Sequence, residues 1–147
     1  MYRNILIPTD GSALSRMAAG AGVKLAQALG ARVTGLFAAP AATPIVYRDA
    51  LPVGYATPDK HQKMIAKTAA GYLAAIAKAA KAAGVPCECL SVTDDFPADA
   101  ILATARKRKC DLIFMASHGR RGLRGLLLGS ETQKVLAHAS TPVVVFR

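Results

Sequence analysis

Between Ser117 and Ser130 four glycines, Gly119, Gly122, Gly125 and Gly129, are interleaved with three arginines, Arg120, Arg121 and Arg124. Glycines let backbone amides approach a ligand closely, and guanidinium groups add full positive charge to the same loop. Ser130 is placed to cap a helix starting near Glu131, whose free N–H groups attract an anion. Polyphosphate is the ligand chemistry that best matches this combination. Glu131 complements the dipole of that helix but competes with a bound phosphate, a charge that Arg120 and Arg124 offset if they turn inward. Asp10 directly follows the apolar run Ile5-Leu6-Ile7 and its Pro8-Thr9 end. Its carboxylate suits either ribose hydroxyls and Mg²⁺ held against phosphates, or a turn and capping role. His118 has no identifiable orienting acid and reads as a positioning residue rather than a general base. With no nucleophile beside a base and no acid–base pair, any hydrolysis or autophosphorylation is expected to be slow.

These groups need a scaffold, and apolar runs alternate with helical patterns along the whole chain. That alternation signals a parallel sheet with helices on both faces. Strands are expected at Tyr2 to Pro8, Arg32 to Ala38, Cys87 to Val92, Leu112 to Met115 and Pro142 to Phe146. The first helix should start at a Ser12 cap, bury Leu14, Met17, Ala18, Ala21, Leu25, Ala28 and Leu29, and stop at Gly30. Ala39 to Pro58 holds Pro40, Pro44, Pro52 and Pro58 and reads as a long irregular connection able to act as a lid. A second helix is expected from Asp59 to Ala83, with its lysines mostly on a solvated face. A third opens at Pro97 and ends in Arg106-Lys107-Arg108-Lys109, where cations favour a helix C-terminus.

The 147 residues, 52% apolar, match one ordinary domain spanning 1–147. No uninterrupted apolar stretch of membrane-spanning length occurs, and Ile5-Leu6-Ile7 before Pro8 is too short for a signal-peptide core, so a cytoplasmic protein is expected. Cys87, Cys89 and Cys110 lack a C-x-x-C pair and are expected to be small buried hydrophobes. The net charge of +10 favours anionic partners in general. Nucleic acid is not favoured, because no RNA-binding aromatic motif is present. Neither G-x-x-x-x-G-K-[ST] nor a G-x-G-x-x-G after the first strand occurs, which excludes a P-loop NTPase and a dinucleotide enzyme. A phosphorylated receiver domain would need an acidic cluster at the sheet's carboxyl end, where Asp10 is expected to stand alone.

The loop resembles that of the universal stress protein family, whose nucleotide-binding members carry Gly, two residues, Gly, nine residues, then Gly with Ser or Thr. Here the pattern reads Ala116, Ser117-His118, Gly119, nine residues, Gly129-Ser130. The alanine departs from the pattern and would put a methyl group where the family's backbone usually lies against the nucleotide. Ile5-Leu6-Ile7-Pro8-Thr9-Asp10-Gly11-Ser12 and Thr141-Pro142-Val143-Val144-Val145 resemble the family's first and last strands. The resemblance implies a doubly wound, Rossmann-like five-stranded parallel sheet of order 3-2-1-4-5, similar to adenine nucleotide alpha hydrolases. Ligands in such sheets bind where the order reverses, here between strands 1 and 4. It further implies ATP, ADP or AMP with Mg²⁺ as ligand, with Pro8 and Thr9 lining the adenine side, Ala38 offering backbone to the adenine edge and Met115 packing on the nucleoside. Each of these is also readable as plain core, and for Met115 the two readings weigh the same. Gly119, Gly129, Ser130 and the following Thr132 complete the candidate set with Asp10, Ala116, His118, Arg120 and Glu131. A homodimer through residues 142–146 is also implied. The family includes members without ATP binding, so a nucleotide-independent interaction protein of the same fold is the alternative.

Overall fold

The computed structural model describes residues 1–41, 58–120, 122 and 127–147. The elements in chain order are β1 (Asn4–Pro8), α1 (Ala13–Leu29), β2 (Arg32–Ala39), α2 (Pro58–Ala82), β3 (Cys87–Thr93), α3 (Pro97–Lys107), β4 (Leu112–Ala116), α4 (Ser130–His138) and β5 (Val143–Phe146). The strands form one parallel sheet in the order β3-β2-β1-β4-β5, the doubly wound arrangement expected. Most of the connection from Ala39 to Pro58, together with Arg121, Arg124 and Gly125, lies outside the described residues.

Alternation along the central strands divides the core into two layers. Ile5, Ile7, Leu112, Phe114 and Ala116 pack under α1 and α2, while Leu6, Leu36, Ile113 and Met115 pack under α3 and α4. Both faces of β1 and β4 are covered, which is why these strands read as unbroken apolar runs. Burying one such side chain contributes about 1.5–3 kcal/mol over leaving it exposed, so the centre of the sheet is the least deformable part of the molecule.

Local signals end the elements as expected in α1, where Ser12 accepts a bond from the Ser15 N–H and Gly30 closes the helix in the left-handed conformation. The buried face of α1 is in part the one expected: Ala18 is buried and Leu14, Ala21 and Leu25 pack partly buried against the core, but Ala28 is exposed. Ser15, Ala18, Ala19, Gly22, Val23 and Ala26 are buried, whereas Met17 is 60% exposed and Leu29 lies outside the core. Small residues let α1 sit close to the sheet. A Cβ added at Gly22 would come within 2.8 Å of Ile7 and 3.1 Å of Phe114. The cysteines also differ from expectation: Cys110 is buried, but Cys89 is only partly so and Cys87 is exposed, because β3 is an edge strand. In α4 the capping position belongs to Gly129, and Ser130 is the first helical residue, with no side-chain cap at that end.

Candidate functional site

The strand order reverses between β1 and β4, and both strands send loops outward from their carboxyl ends. Asp10 ties these loops together. One carboxylate oxygen accepts the Ser12 N–H at 3.0 Å, and the other accepts the Arg120 N–H at 2.8 Å across 110 positions of sequence. Gly119 is needed at this junction, since a Cβ there would collide with the Asp10 carboxylate. Partial burial of Asp10 raises its pKa. Hydrogen bonds from Ser12, the Arg120 N–H and Ser15 outweigh that effect and hold the carboxyl below its ordinary value of 3.8. A depressed folded-state pKa stabilises the fold fully above 3.8, and that contribution is lost as pH falls through the lower folded value. Wild type should therefore lose stability between pH 5 and about 2 more steeply than Asp10→Asn, read as unfolding midpoints at stepped pH. Equal slopes would remove Asp10 as a tie between the loops.

The β4 loop closes onto α4 by a second set of bonds. The Gly129 N–H donates to the Ser117 carbonyl at 2.7 Å, and the Thr132 hydroxyl donates to the Ala116 carbonyl at 3.0 Å. These contacts bring the first turn of α4, whose leading N–H groups have no partner within the helix, to the mouth of the crevice. Glu131 turns toward α3: one carboxylate oxygen accepts the Ala98 N–H at 2.8 Å, and the other accepts from Lys134 at 3.0 Å. It thus satisfies an open donor at the start of α3, which accounts for an acid beside a basic loop. The Ala116 methyl belongs to the core under α1 and α2, and the residue is 7% exposed on the crevice wall.

Tyr72 of α2 is a residue that the sequence did not single out for this site. Its ring meets Phe37 edge-on at 5.3 Å between centroids, and the Arg120 guanidinium lies 5.0 Å above it and donates to its hydroxyl. Arg120 is therefore spent on the α2 side of the crevice rather than aimed at the helix start, a cation–π contact aligned with a hydrogen bond. His118 Nδ1 lies 3.1 Å from Ser117 Oγ, but Ser117 is 2% exposed, so this hydroxyl is a support for the imidazole rather than a presented nucleophile.

Around these contacts lies a cavity of about 740 Å³ at the carboxyl end of the sheet. Pro8, Thr9, Asp10, Ala38, Met115, Ala116, His118, Gly119, Arg120, Gly129, Ser130, Glu131 and Thr132 all line it. So do Leu36, Phe37, Tyr72, Asp94 and Asp95, which sequence reasoning missed. Asp10 consequently does not stand alone among the acids of this wall. Asp94 and Asp95 are engaged with the N–H groups of Phe96 and Ala41, and no group of three or more potential metal-binding side chains occurs among the described residues. The cavity size suits a small organic ligand, with apolar walls and a few convergent polar groups. Among the described residues no helix is long and apolar enough to cross a membrane.

The chain matches the model of the universal stress protein family over residues 1–147. A universal stress protein of Thermus aquaticus, encoded in the 3′ region of a QAH/OAS sulfhydrylase gene, is 33% identical over the whole of both chains. Among solved structures, a universal stress protein in complex with cAMP shares 25% identity over 99% of this chain and 97% of its own, with a TM-score of 0.74. A family protein from Arabidopsis thaliana with AMP bound has a similar fold, at 18% identity over 98% of this chain and 90% of its own, with a TM-score of 0.68. Sequence, strand order and these likenesses agree, and the chain belongs to the universal stress protein family.

Proposed function

We propose that this domain binds an adenine nucleotide, ATP, ADP or AMP, in the crevice between β1 and β4. One observation carries the reading: a single cavity is lined both by Gly119, Gly129 and Ser130, suited to phosphates, and by Thr9, Ala38 and Met115, suited to a nucleoside. The cAMP and AMP complexes of similar folds support an adenine ligand. Backbone N–H groups at the start of α4 would receive phosphate oxygens, with the helix dipole adding to the attraction. Asp10 accepts one N–H on each oxygen and is also bonded by the Ser12 and Ser15 side chains, so a Mg²⁺ ligated here would take the place of a hydroxyl contact while phosphates and water supply the rest of its shell. Mg²⁺ would neutralise phosphate charge there. The chain's own groups position and enclose the nucleotide, and the bound state acts as a cytoplasmic stress-response signal or protectant rather than an efficient catalytic cycle.

Amide chemical shifts recorded during an AMP titration test the placement. Thr9, Gly119, Gly129 and Ser130 should shift most, and perturbations confined to other surfaces would refute it. The same reading includes a homodimer. β5 is an edge strand whose Val144 is 37% exposed, and edges of this kind are normally paired or covered. Val144→Glu should convert a dimer to a monomer at micromolar concentration in sedimentation velocity. An unchanged sedimentation coefficient would argue against pairing through β5.

A further inference from the structure

Cys87 and Cys89 project from the same side of β3, and their sulfur atoms lie 3.8 Å apart. Cys87 is exposed at the sheet edge, and Cys89 leans on the core beneath α2, with its sulfur 3.6 Å from the Leu73 carbonyl oxygen. Opposite Cys89 in the ladder stands Gly35, where an added Cβ would approach the Cys89 sulfur to 3.1 Å. A glycine inside a central strand weakens it, and here its absent side chain clears room for that sulfur.

The separation suits an ion better than a direct bond. Two thiolates about 2.3 Å from a tetrahedral metal stand roughly 3.8 Å apart. A disulfide would need the sulfurs to close to about 2.05 Å, while residues two apart on a strand have Cα atoms roughly 6.6 Å apart, near the limit for bridging. The ladder to β2 holds both residues in register, Val33 with Cys87 and Gly35 with Cys89.

We propose that Cys87 and Cys89 form a two-thiolate site for a soft d¹⁰ cation such as Cu(I) or Cd²⁺, separate from the nucleotide crevice. On binding, two metal–sulfur bonds form and the two thiol protons pass to solvent; no electrons are exchanged. Glu88, between the two cysteines, is occupied by Arg32 at 3.5 Å and Arg108 at 3.0 Å. Among the described residues no third potential ligand completes a cluster, so small-molecule thiols or water fill the remaining positions. Soft thiolate donors select such cations over Mg²⁺ or Ca²⁺.

The test titrates the reduced full chain with Cd²⁺ without oxygen, following thiolate-to-cadmium charge-transfer absorbance. Wild type should saturate near one ion per chain, and its thermal midpoint should rise with bound metal. Cys87→Ser and Cys89→Ser should each lose the absorbance and at least about tenfold in affinity, whereas Cys110→Ser should retain both. A second readout needs no variant: Cd²⁺ should protect Cys87 and Cys89 of the wild type from alkylation, as mapped by peptide mass spectrometry. Cadmium binding that survives both serine substitutions would overturn the proposal. So would absent protection, or a Cys87–Cys89 disulfide formed under hydrogen peroxide in protein that captures no cadmium.

Discussion

Gly129→Val should weaken adenine-nucleotide binding by about 100-fold or more, roughly 2.7 kcal/mol, while leaving the sheet folded. A Cβ at this position would lie 3.1 Å from the His118 Cα and 3.4 Å from the Ser117 carbonyl oxygen, both backbone atoms that cannot rotate away. The Gly129 N–H is already drawn to that carbonyl at 2.7 Å, so the loop has no slack on this side. Relief of the contact must move the segment before α4, and that segment carries the N–H groups proposed to receive phosphate. The helix itself should survive, because the backbone at Gly129 is extended and open to any residue and the cap loses only about 1 kcal/mol. Calorimetric affinity measured beside circular dichroism separates the two effects. An affinity within twofold of wild type would mean that phosphates do not sit at this turn.

The largest effect on stability is expected at Gly11, where Gly11→Ala should cost about 2–3 kcal/mol and lower the thermal midpoint by roughly 5–10 °C. Gly11 has φ of 77°, a left-handed conformation that costs an L-residue about 1–2 kcal/mol. A Cβ would also enter the ring of Tyr72, and displacing that ring disturbs Phe37 and Arg120 together. Gly20 and Gly71 provide the control. Both lie inside helices with nothing near a built Cβ, so alanine at either should stabilise by about 0.5–1 kcal/mol. A Gly11→Ala protein as stable as wild type would show that Tyr72 does not lock the β1 turn.

The parts of this molecule that were legible in its sequence are those governed by local physics. Ile5 to Ile7 and Leu112 to Met115 are unbroken apolar runs because both faces of β1 and β4 are buried. Ser12 and Gly30 mark the ends of α1 because capping is a short-range matter. The stripe of α1 is legible at Leu14, Ala18, Ala21 and Leu25 but not throughout: alanines and glycines occur all round this helix, so Met17 and Leu29 stand out by size while Ala19, Gly22 and Ala26 make the close contacts. Contacts across long stretches of sequence gave no such signal. Tyr72 meets Arg120 from 48 positions away, and Glu131 reaches Ala98 across 33, so neither the ring in the crevice nor the redirected carboxylate could be read from spacing. A hydroxyl at Ser130 fits the usual capping pattern, whereas the cap is Gly129, where an added Cβ would press on the His118 Cα at 3.1 Å. The exposure of Cys87 follows from β3 being outermost, a property of strand order rather than of the strand's own residues.

The central claim is nucleotide binding in the β1–β4 crevice, and its most direct test is a calorimetric titration of ligand-stripped protein with ATP and Mg²⁺ at physiological salt. Saturable binding near one site per chain, at micromolar affinity or tighter and lost in Gly129→Val, is the predicted result. No detectable heat at several temperatures would contradict it and leave a nucleotide-independent interaction protein of the same fold.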